Sequence, residues 1–237
     1  VANDTSVLSY TPSGLVKNTK YYWKIIATDP SGSKTSSVMN FTVLMTPEWS
    51  YETGDDVKNV AVSADGEYYA VGSNDYKVYL FDKDSNTPLW SYTTGGEVET
   101  IDISADGKYI VAGSGYSTSK VYLFDKDSST PLWDYEAGNS VRSVSISADG
   151  EYIVAGSNDD KVYLFDKDSS TPLWSYTTGN DVWSVSISAD GEYIAAGSED
   201  SKVYLFDKDS STPLWSYTTG NDVWSVSISA DGEYIAA

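Results

Sequence analysis

The stretch Val182-Trp183-Ser184-Val185-Ser186-Ile187-Ser188-Ala189-Asp190-Gly191-Glu192-Tyr193-Ile194-Ala195-Ala196-Gly197-Ser198 decides the fold of this chain. Its first seven residues alternate apolar and small polar side chains, the period-2 pattern of a strand with one buried face. Asp190-Gly191 predicts a tight hairpin turn, with both residues at positive φ. Residues 193–197 read as a second strand and Glu199-Asp200-Ser201 as a second turn. The run Lys202-Val203-Tyr204-Leu205-Phe206 is almost continuously apolar, as in a strand covered on both faces. Asp209-Ser210-Ser211-Thr212-Pro213 has turn chemistry, and Leu214-Trp215-Ser216-Tyr217-Thr218 closes a four-strand unit. No segment sustains a helical period.

The unit recurs. Trp49, Trp90, Trp133, Trp174 and Trp215 are spaced by 41, 43, 41 and 41 residues, and Ala-Asp-Gly starts at 64, 105, 148, 189 and 230 with the same spacing. The two extra residues fall in the turn Gly115-Tyr116-Ser117-Thr118-Ser119, and residues 161–196 and 202–237 are identical. Four short antiparallel strands in about 40–45 residues make a β-propeller blade; a β-solenoid would need shorter rungs. The fold class is therefore all-β. Residues 57–94, 98–135, 141–178 and 182–219 read as four whole blades, and 223–237 as two strands of a fifth, an incomplete propeller with open blade faces. The innermost strand should carry small side chains where blades converge, and Ser143, Ser145 and Ser147 meet that demand, as do Ser184, Ser186 and Ser188.

Over about residues 47–237 the repeats resemble two propeller families. Residues 186–198 look like the inner strands of WD-repeat propellers. Residues 166–174, with Asp166 and Trp174 eight apart, are similar to the tryptophan-docking motif of pyrroloquinoline-quinone-type propellers. Phe81-Asp82, Phe124-Asp125, Phe165-Asp166 and Phe206-Asp207 stand where Trp-Asp is expected, the Gly-His dipeptide is absent, and Ser170 replaces the turn Gly of the quinone-type motif. The resemblance implies the fold and carries over neither family's function.

Residues 1–45 read differently from the repeats at 46–237. Alternation along residues 19–27, a turn at Asp29-Pro30-Ser31-Gly32 and a short strand at Asn40-Phe41-Thr42-Val43 resemble the later strands of a fibronectin type III sandwich, with Tyr21 at the tyrosine-corner position. Such a sandwich needs about seven strands, so this segment would be its C-terminal half. Asn3 and Asn40 begin Asn-x-Ser/Thr sequons. With Val1 first and Tyr234-Ile235-Ala236-Ala237 stopping inside a unit, the chain reads as a piece of a longer protein.

Composition narrows the chemistry. The 237 residues hold 15 Lys+Arg and 35 Asp+Glu, a formal charge of −20, with no Cys and no His. That charge repels nucleic acid and anionic membranes. Disulfides, Cys/His zinc sites, thiol nucleophiles and a Ser-His-Asp triad are excluded. No run of 18 apolar residues occurs, so no membrane insertion of this segment is expected. The Asp166-Lys167-Asp168 loops and their copies start like a Ca²⁺ loop but lack its central Gly and terminal Glu, so no metal is assigned. The recurring Trp residues read as inter-blade packing. No catalytic residue and no cofactor are assigned.

Two positions break the repeat. Asp102 stands where the other units have Ala61, Ser145, Ser186 and Ser227, and reads as an acid lining a central channel. After the Val opening each inner strand come Lys58, Glu99, Arg142, Trp183 and Trp224, variable amid near-constant neighbours. They are expected at one rim, outside the core, with Arg142 free to clasp a carboxylate and the two Trp free to stack on a ligand. The expectation is a non-enzymatic cell-surface or secreted module for adhesion, recognition or scaffolding, binding a protein or glycan and self-associating through open blade edges. The alternatives are a fragment of a quinone-dependent or hydrolytic propeller enzyme and a structural spacer in a surface array.

Overall fold

A computed structural model describes residues 49–237, together with the backbone of four short strands before them. The chain divides into two compact units, Val1–Ser50 and Tyr51–Ala237. In the first, β1 (Lys20–Trp23) pairs antiparallel with β4 (Met39–Thr42), and β2 (Ile26–Asp29) with β3 (Gly32–Thr35). The alternating run at 19–27 thus feeds two strands with different partners. The sandwich reading goes no further here, because Leu15, Asn3 and the side chain of Tyr21 lie outside the described residues.

In the second unit each repeat forms one antiparallel sheet with its strands in chain order. Blade 1 is β5 (Val57–Val62), β6 (Tyr68–Ser73), β7 (Lys77–Asp82) and β8 (Trp90–Thr93). Blade 2 is β9 (Val98–Ile103), β10 (Tyr109–Ser114), β11 (Lys120–Asp125) and β12 (Trp133–Glu136). Blade 3 is β13 (Val141–Ile146), β14 (Tyr152–Ser157), β15 (Lys161–Asp166) and β16 (Trp174–Thr177). Blade 4 is β17 (Val182–Ile187), β18 (Tyr193–Ser198), β19 (Lys202–Asp207) and β20 (Trp215–Thr218). A fifth sheet holds β21 (Ser227–Ile228) and β22 (Ile235–Ala236). These are incomplete-propeller blades, as the repeat predicts.

The Ala-Asp-Gly turn differs from the two-residue hairpin expected. Only the Gly takes positive φ, +75° at Gly191. The Gly191 N–H donates to the Ser188 carbonyl at 3.0 Å, and Asp190 Oδ1 accepts from Ser188 Oγ at 2.6 Å and from the Glu192 N–H at 3.1 Å. Asp acts here as the acceptor that closes an Asx-type turn, which any φ in the right-handed region permits. A Cβ on Gly191 would also lie 2.5 Å from Cδ2 of Tyr152 in the preceding blade, so the turn is packed as well as bent.

Three layers of polar bonds join successive inner strands. The Ala64, Ala105, Ala148 and Ala189 N–H groups each donate to the carbonyl of the corresponding alanine one blade on, at 2.9–3.0 Å. Next, Asn59 Oδ1, Thr100 Oγ1, Ser143 Oγ and Ser184 Oγ accept from the N–H of Ile101, Val144, Val185 and Val226 at 3.0–3.3 Å. In the third layer Asp102 Oδ2 and Ser186 Oγ accept from Ile146 and Ile228. The small inner side chains are there as acceptors for N–H groups that face the neighbouring blade instead of a ladder partner.

Apolar packing lies between blades. One cluster joins Val111, Val121 and Leu123 of blade 2 to Val141, Val144, Ile146, Tyr163 and Phe165 of blade 3. The central run is covered on both faces, with Val162, Leu164 and Phe165 at 0% exposure. Trp90, Trp133 and Trp174 donate their indole N–H to the carbonyls of Lys126, Lys167 and Lys208 in the next blade, each at 2.7 Å, and lie 5.3 Å from Phe124, Phe165 and Phe206. They are inter-blade docking residues. At the two ends the packing stops: Val57, Val60 and Val62 are 48–52% exposed, while Val98, Ile101 and Ile103, their counterparts, are at 0–7%.

Candidate recognition site at the strand bulges

The variable position is the extra residue of a β-bulge. Pairing jumps from Val57↔Ser73 to Asn59↔Gly72, from Val98↔Ser114 to Thr100↔Gly113, from Val141↔Ser157 to Ser143↔Gly156, and from Val182↔Ser198 to Ser184↔Gly197. Lys58, Glu99, Arg142 and Trp183 therefore have no ladder partner. The bulge has a packing cause. In a regular strand Val98 and Ile101 would point to opposite faces; the added residue turns Val98 to the face of Ile101 and Ile103. That valine is seated against a glycine of the preceding blade, where a Cβ on Gly72 would come within 2.7 Å of Val98 Cγ1. The scaffold fixes the valine and the glycine and leaves the bulged side chain unconstrained by the ladder.

Four of the five rim residues form one continuous chain of contacts. Arg142 Nη1 lies 3.6 Å from Glu99 Oε1, Arg142 Cζ sits 5.2 Å from the Trp183 ring, and the Trp183 and Trp224 ring centroids are 4.8 Å apart. Lys58 holds the equivalent bulge in blade 1 and is exposed. The expectation that all five stand outside packed structure is corrected here: the Arg142 and Glu99 side chains are only 17% and 14% exposed, and Trp183 is half-buried. Its indole N–H is buried without a hydrogen-bond partner. Arg142 is also not free to clasp a carboxylate, because its Nε donates to Asn158 Oδ1 at 3.2 Å and its Nη2 to the Tyr116 hydroxyl at 3.1 Å. Trp224, 59% exposed, is the open end of the stack.

Tyr116 escaped the sequence reading, although its signal was present as the one insertion in the repeat. In blades 1, 3 and 4 the second turn carries Asp75, Asp159 and Asp200, which accept from the hydroxyls of Tyr79, Tyr163 and Tyr204. Blade 2 has no such Asp; Tyr122 donates instead to the Thr94 carbonyl at 2.8 Å, and Ser114 bonds Thr118. The longer loop lifts Tyr116, 74% exposed, over Arg142, with its ring 5.4 Å from Cζ. The guanidinium thus lies over two rings, Tyr116 and Trp183. Nearby, loss of water and the adjacent Asp160 carboxylate raise the pKa of Asp181 from its ordinary value, with Arg142 opposing them.

Asp102 does not simply face channel water. Its Oδ1 accepts from the Ile103 N–H at 2.9 Å and its Oδ2 from the Ile146 N–H at 3.0 Å, which makes it a blade 2 to blade 3 clip in the place of a serine. Burial raises its pKa, the backbone donors opposing. A raised folded-state pKa stabilises the fold fully below the unfolded value near 3.8, and that stability is lost as pH rises through the folded-state pKa. Asp102→Ser, the residue of the other blades, is therefore expected to raise Tm at pH 7, with the gap to the parent closing toward pH 4. Melting both proteins across that range checks it; a gap that is constant or widens in acid contradicts the assignment.

The Asp-Lys-Asp loops turn inward on themselves: Asp166 Oδ1 accepts from the Asp168 N–H at 2.8 Å, and Lys167 Nζ lies 2.8 Å from Asp168 and 3.3 Å from Glu151. Among the described residues no group of three or more acidic side chains is placed to hold a metal ion, and no helix is long and apolar enough to cross a membrane.

Comparison with known proteins agrees with this architecture. The WD domain, G-beta repeat model matches residues 170–207, ending on Phe206-Asp207. No curated protein matches the chain. The model described as outer membrane protein assembly factor BamB, of the PQQ repeat type, matches residues 24–188 and so begins within the segment that resembles a fibronectin sandwich. Spanning well over half of the sequence and covering blades 1 to 3, that match places the chain in the BamB-type family of PQQ-like β-propeller proteins.

Proposed function

We propose that this chain is a non-enzymatic recognition and scaffolding module of the cell envelope or surface, which binds a protein or glycan ligand at the bulged end of its blades. One observation carries the reading: a scaffold repeated almost letter for letter varies at the bulge, and the variable side chains meet as Glu99, Arg142, Trp183 and Trp224, with Tyr116 added by the one insertion. Aromatic and arginine side chains are the favoured anchors of interfaces. Propellers of the WD and BamB types are interaction modules, and the family description names an outer membrane assembly factor, which supports an envelope setting. Family membership alone does not select the ligand.

The test is an array of defined proteins and glycans probed with the parent and with a variant carrying Tyr116→Ser and Trp224→Ala. Both side chains are exposed, so the variant should melt within a few degrees of the parent. The expected result is at least one binder of the parent that the variant loses by tenfold or more. Binding unchanged in the variant, or turnover of a substrate by the parent, would overturn the reading.

A further inference from the structure

The two-residue insertion of blade 2 is a seated element. Gly95-Gly96 stands where the linkers before blades 1, 3 and 4 read Gly54-Asp55, Gly138-Asn139 and Gly179-Asn180. The missing side chain makes room for the longer turn, since a Cβ on Gly96 would lie 2.8 Å from Thr118 Oγ1. Thr118 Oγ1 in turn bonds Ser114 Oγ at 2.7 Å, and the Thr118 N–H donates to the Gly115 carbonyl at 3.2 Å. A turn held at these points fixes Tyr116 over Arg142, with Cζ 5.4 Å from the ring and Nη2 3.1 Å from the hydroxyl. The guanidinium covers one face of the ring, and the residue is still 74% exposed. The fold thus presents one open aromatic face, held in place before any ligand arrives. Blade 2 has a whole blade on either side, so that face is not bare for want of a neighbour.

The surroundings choose the occupant. A positive charge behind the ring opposes a second cation on its open face. Glu99, 3.6 Å from Arg142, already balances that charge, and an anion meets the −20 of the whole chain. The exposed large apolar side chains of blades 2 and 3 are Tyr116, Leu132 and Leu173. Both leucines precede the fourth strands, at the Ala-Asp-Gly end, so neither extends an apolar contact around Tyr116. What adjoins the ring is planar and polar. Asn158 Oδ1 accepts from Arg142 Nε at 3.2 Å, which leaves Nδ2 without a partner among the described residues. The Tyr116 hydroxyl accepts from Nη2 and keeps its own proton to donate. An uncharged sugar ring matches this set, with C–H bonds for the aromatic face and hydroxyls for the amide and the phenol.

We propose that the open face of Tyr116 is the platform of a subsite for a neutral glycan, which stacks one sugar ring there and bonds it through the Tyr116 hydroxyl and Asn158 Nδ2. This rests on the recognition reading above and chooses the glycan from its two ligand classes.

The experiment titrates the chain at about 0.15 M salt with cellotetraose, chitotetraose, maltotetraose and mannotetraose. Two charged probes accompany them: capped tetra-arginine, and tetragalacturonate, which the exposed Lys58 of blade 1 is able to attract. The proteins are the parent, Tyr116→Ser, Tyr116→Phe and Tyr76→Ser. Tyr76 is 43% exposed in the blade 1 turn, where blade 4 has Ser201, and controls for the general stickiness of exposed tyrosines. At least one neutral tetrasaccharide is expected to bind the parent, and Tyr116→Ser to weaken it by at least about fivefold. Tyr116→Phe keeps the ring and should cost about threefold or less. Tyr76→Ser should cost less than Tyr116→Phe. No binding of any neutral tetrasaccharide, or equal losses in Tyr116→Ser and Tyr76→Ser, overturns the subsite. Binding of a charged probe that depends on Tyr116, with no neutral sugar bound, overturns the neutral class. A protein found on the array that needs Tyr116, while every sugar fails, removes the glycan and leaves the recognition reading standing. If the array finds no binder that depends on Tyr116 and Trp224, it is the recognition reading that fails.

Discussion

Trp133→Ala is expected to cost the fold about 3–5 kcal/mol, and Trp215→Ala about 1 kcal/mol or less, although both residues follow Pro-Leu and occupy the same place in the repeat. Trp133 gives its indole N–H to the Lys167 carbonyl and its ring to Phe165, so truncation opens a cavity between blades 2 and 3 and removes the donor to a partly buried carbonyl. Trp215 is 42% exposed at the end of blade 4, where the described residues of the fifth sheet include no counterpart of the Lys167 loop to accept its indole N–H. Urea unfolding of the two variants beside the parent measures the difference. Equal costs would mean that the tryptophans stabilise their own blade and that docking to the next one contributes little.

The second expected result is reversible self-association. Blade 1 exposes Val57, Val60 and Val62 at 48–52%, on the face that blades 2 to 4 bury, and blade 4 exposes Trp215 and Tyr217 at 42% and 67%. Two unlike apolar faces at opposite ends of one series make a heterologous contact, which builds chains or closes into rings. Sedimentation velocity at 0.15 M salt should show mass rising with concentration, since salt screens the repulsion between chains of charge −20. Val60→Glu with Val62→Glu should return the protein to monomer with little change in Tm, because both side chains are already half exposed. A parent that stays monomeric at every concentration contradicts the expectation.

The reading of strands from sequence succeeded because each rests on a local cause. Period 2 along residues 182–188, the Pro-containing turn at 209–213 and the doubly covered run at 202–206 fall on β17, the loop before β20, and β19. The Ala-Asp-Gly turn was legible as a turn and misread in type, because whether Asp190 adopts positive φ or accepts hydrogen bonds depends on Ser188 Oγ reaching it. At the candidate site the irregularity of the five positions showed in the letters. The bulge that creates the position did not, since it arises from Val98 and its counterparts turning to face a glycine one blade away. Tyr116 looked like loop filler until the fold set it over a residue 26 positions later.

Residues 161–196 and 202–237 mark the boundary between the two kinds of information. The same letters in both copies determine the same strands, the same Asx turn and the same docking tryptophan, because period, turn chemistry and backbone hydrogen bonding act within a few residues. The tertiary structure alone decided that Trp174 reaches the Lys208 carbonyl, and that Trp183 is held between Arg142 and Trp224. It also made Asp102 a clip between blades by setting Ile146 within hydrogen-bond reach. Burial, stacking and charge pairing depend on which neighbour a blade has, and that is a property of its place in the series.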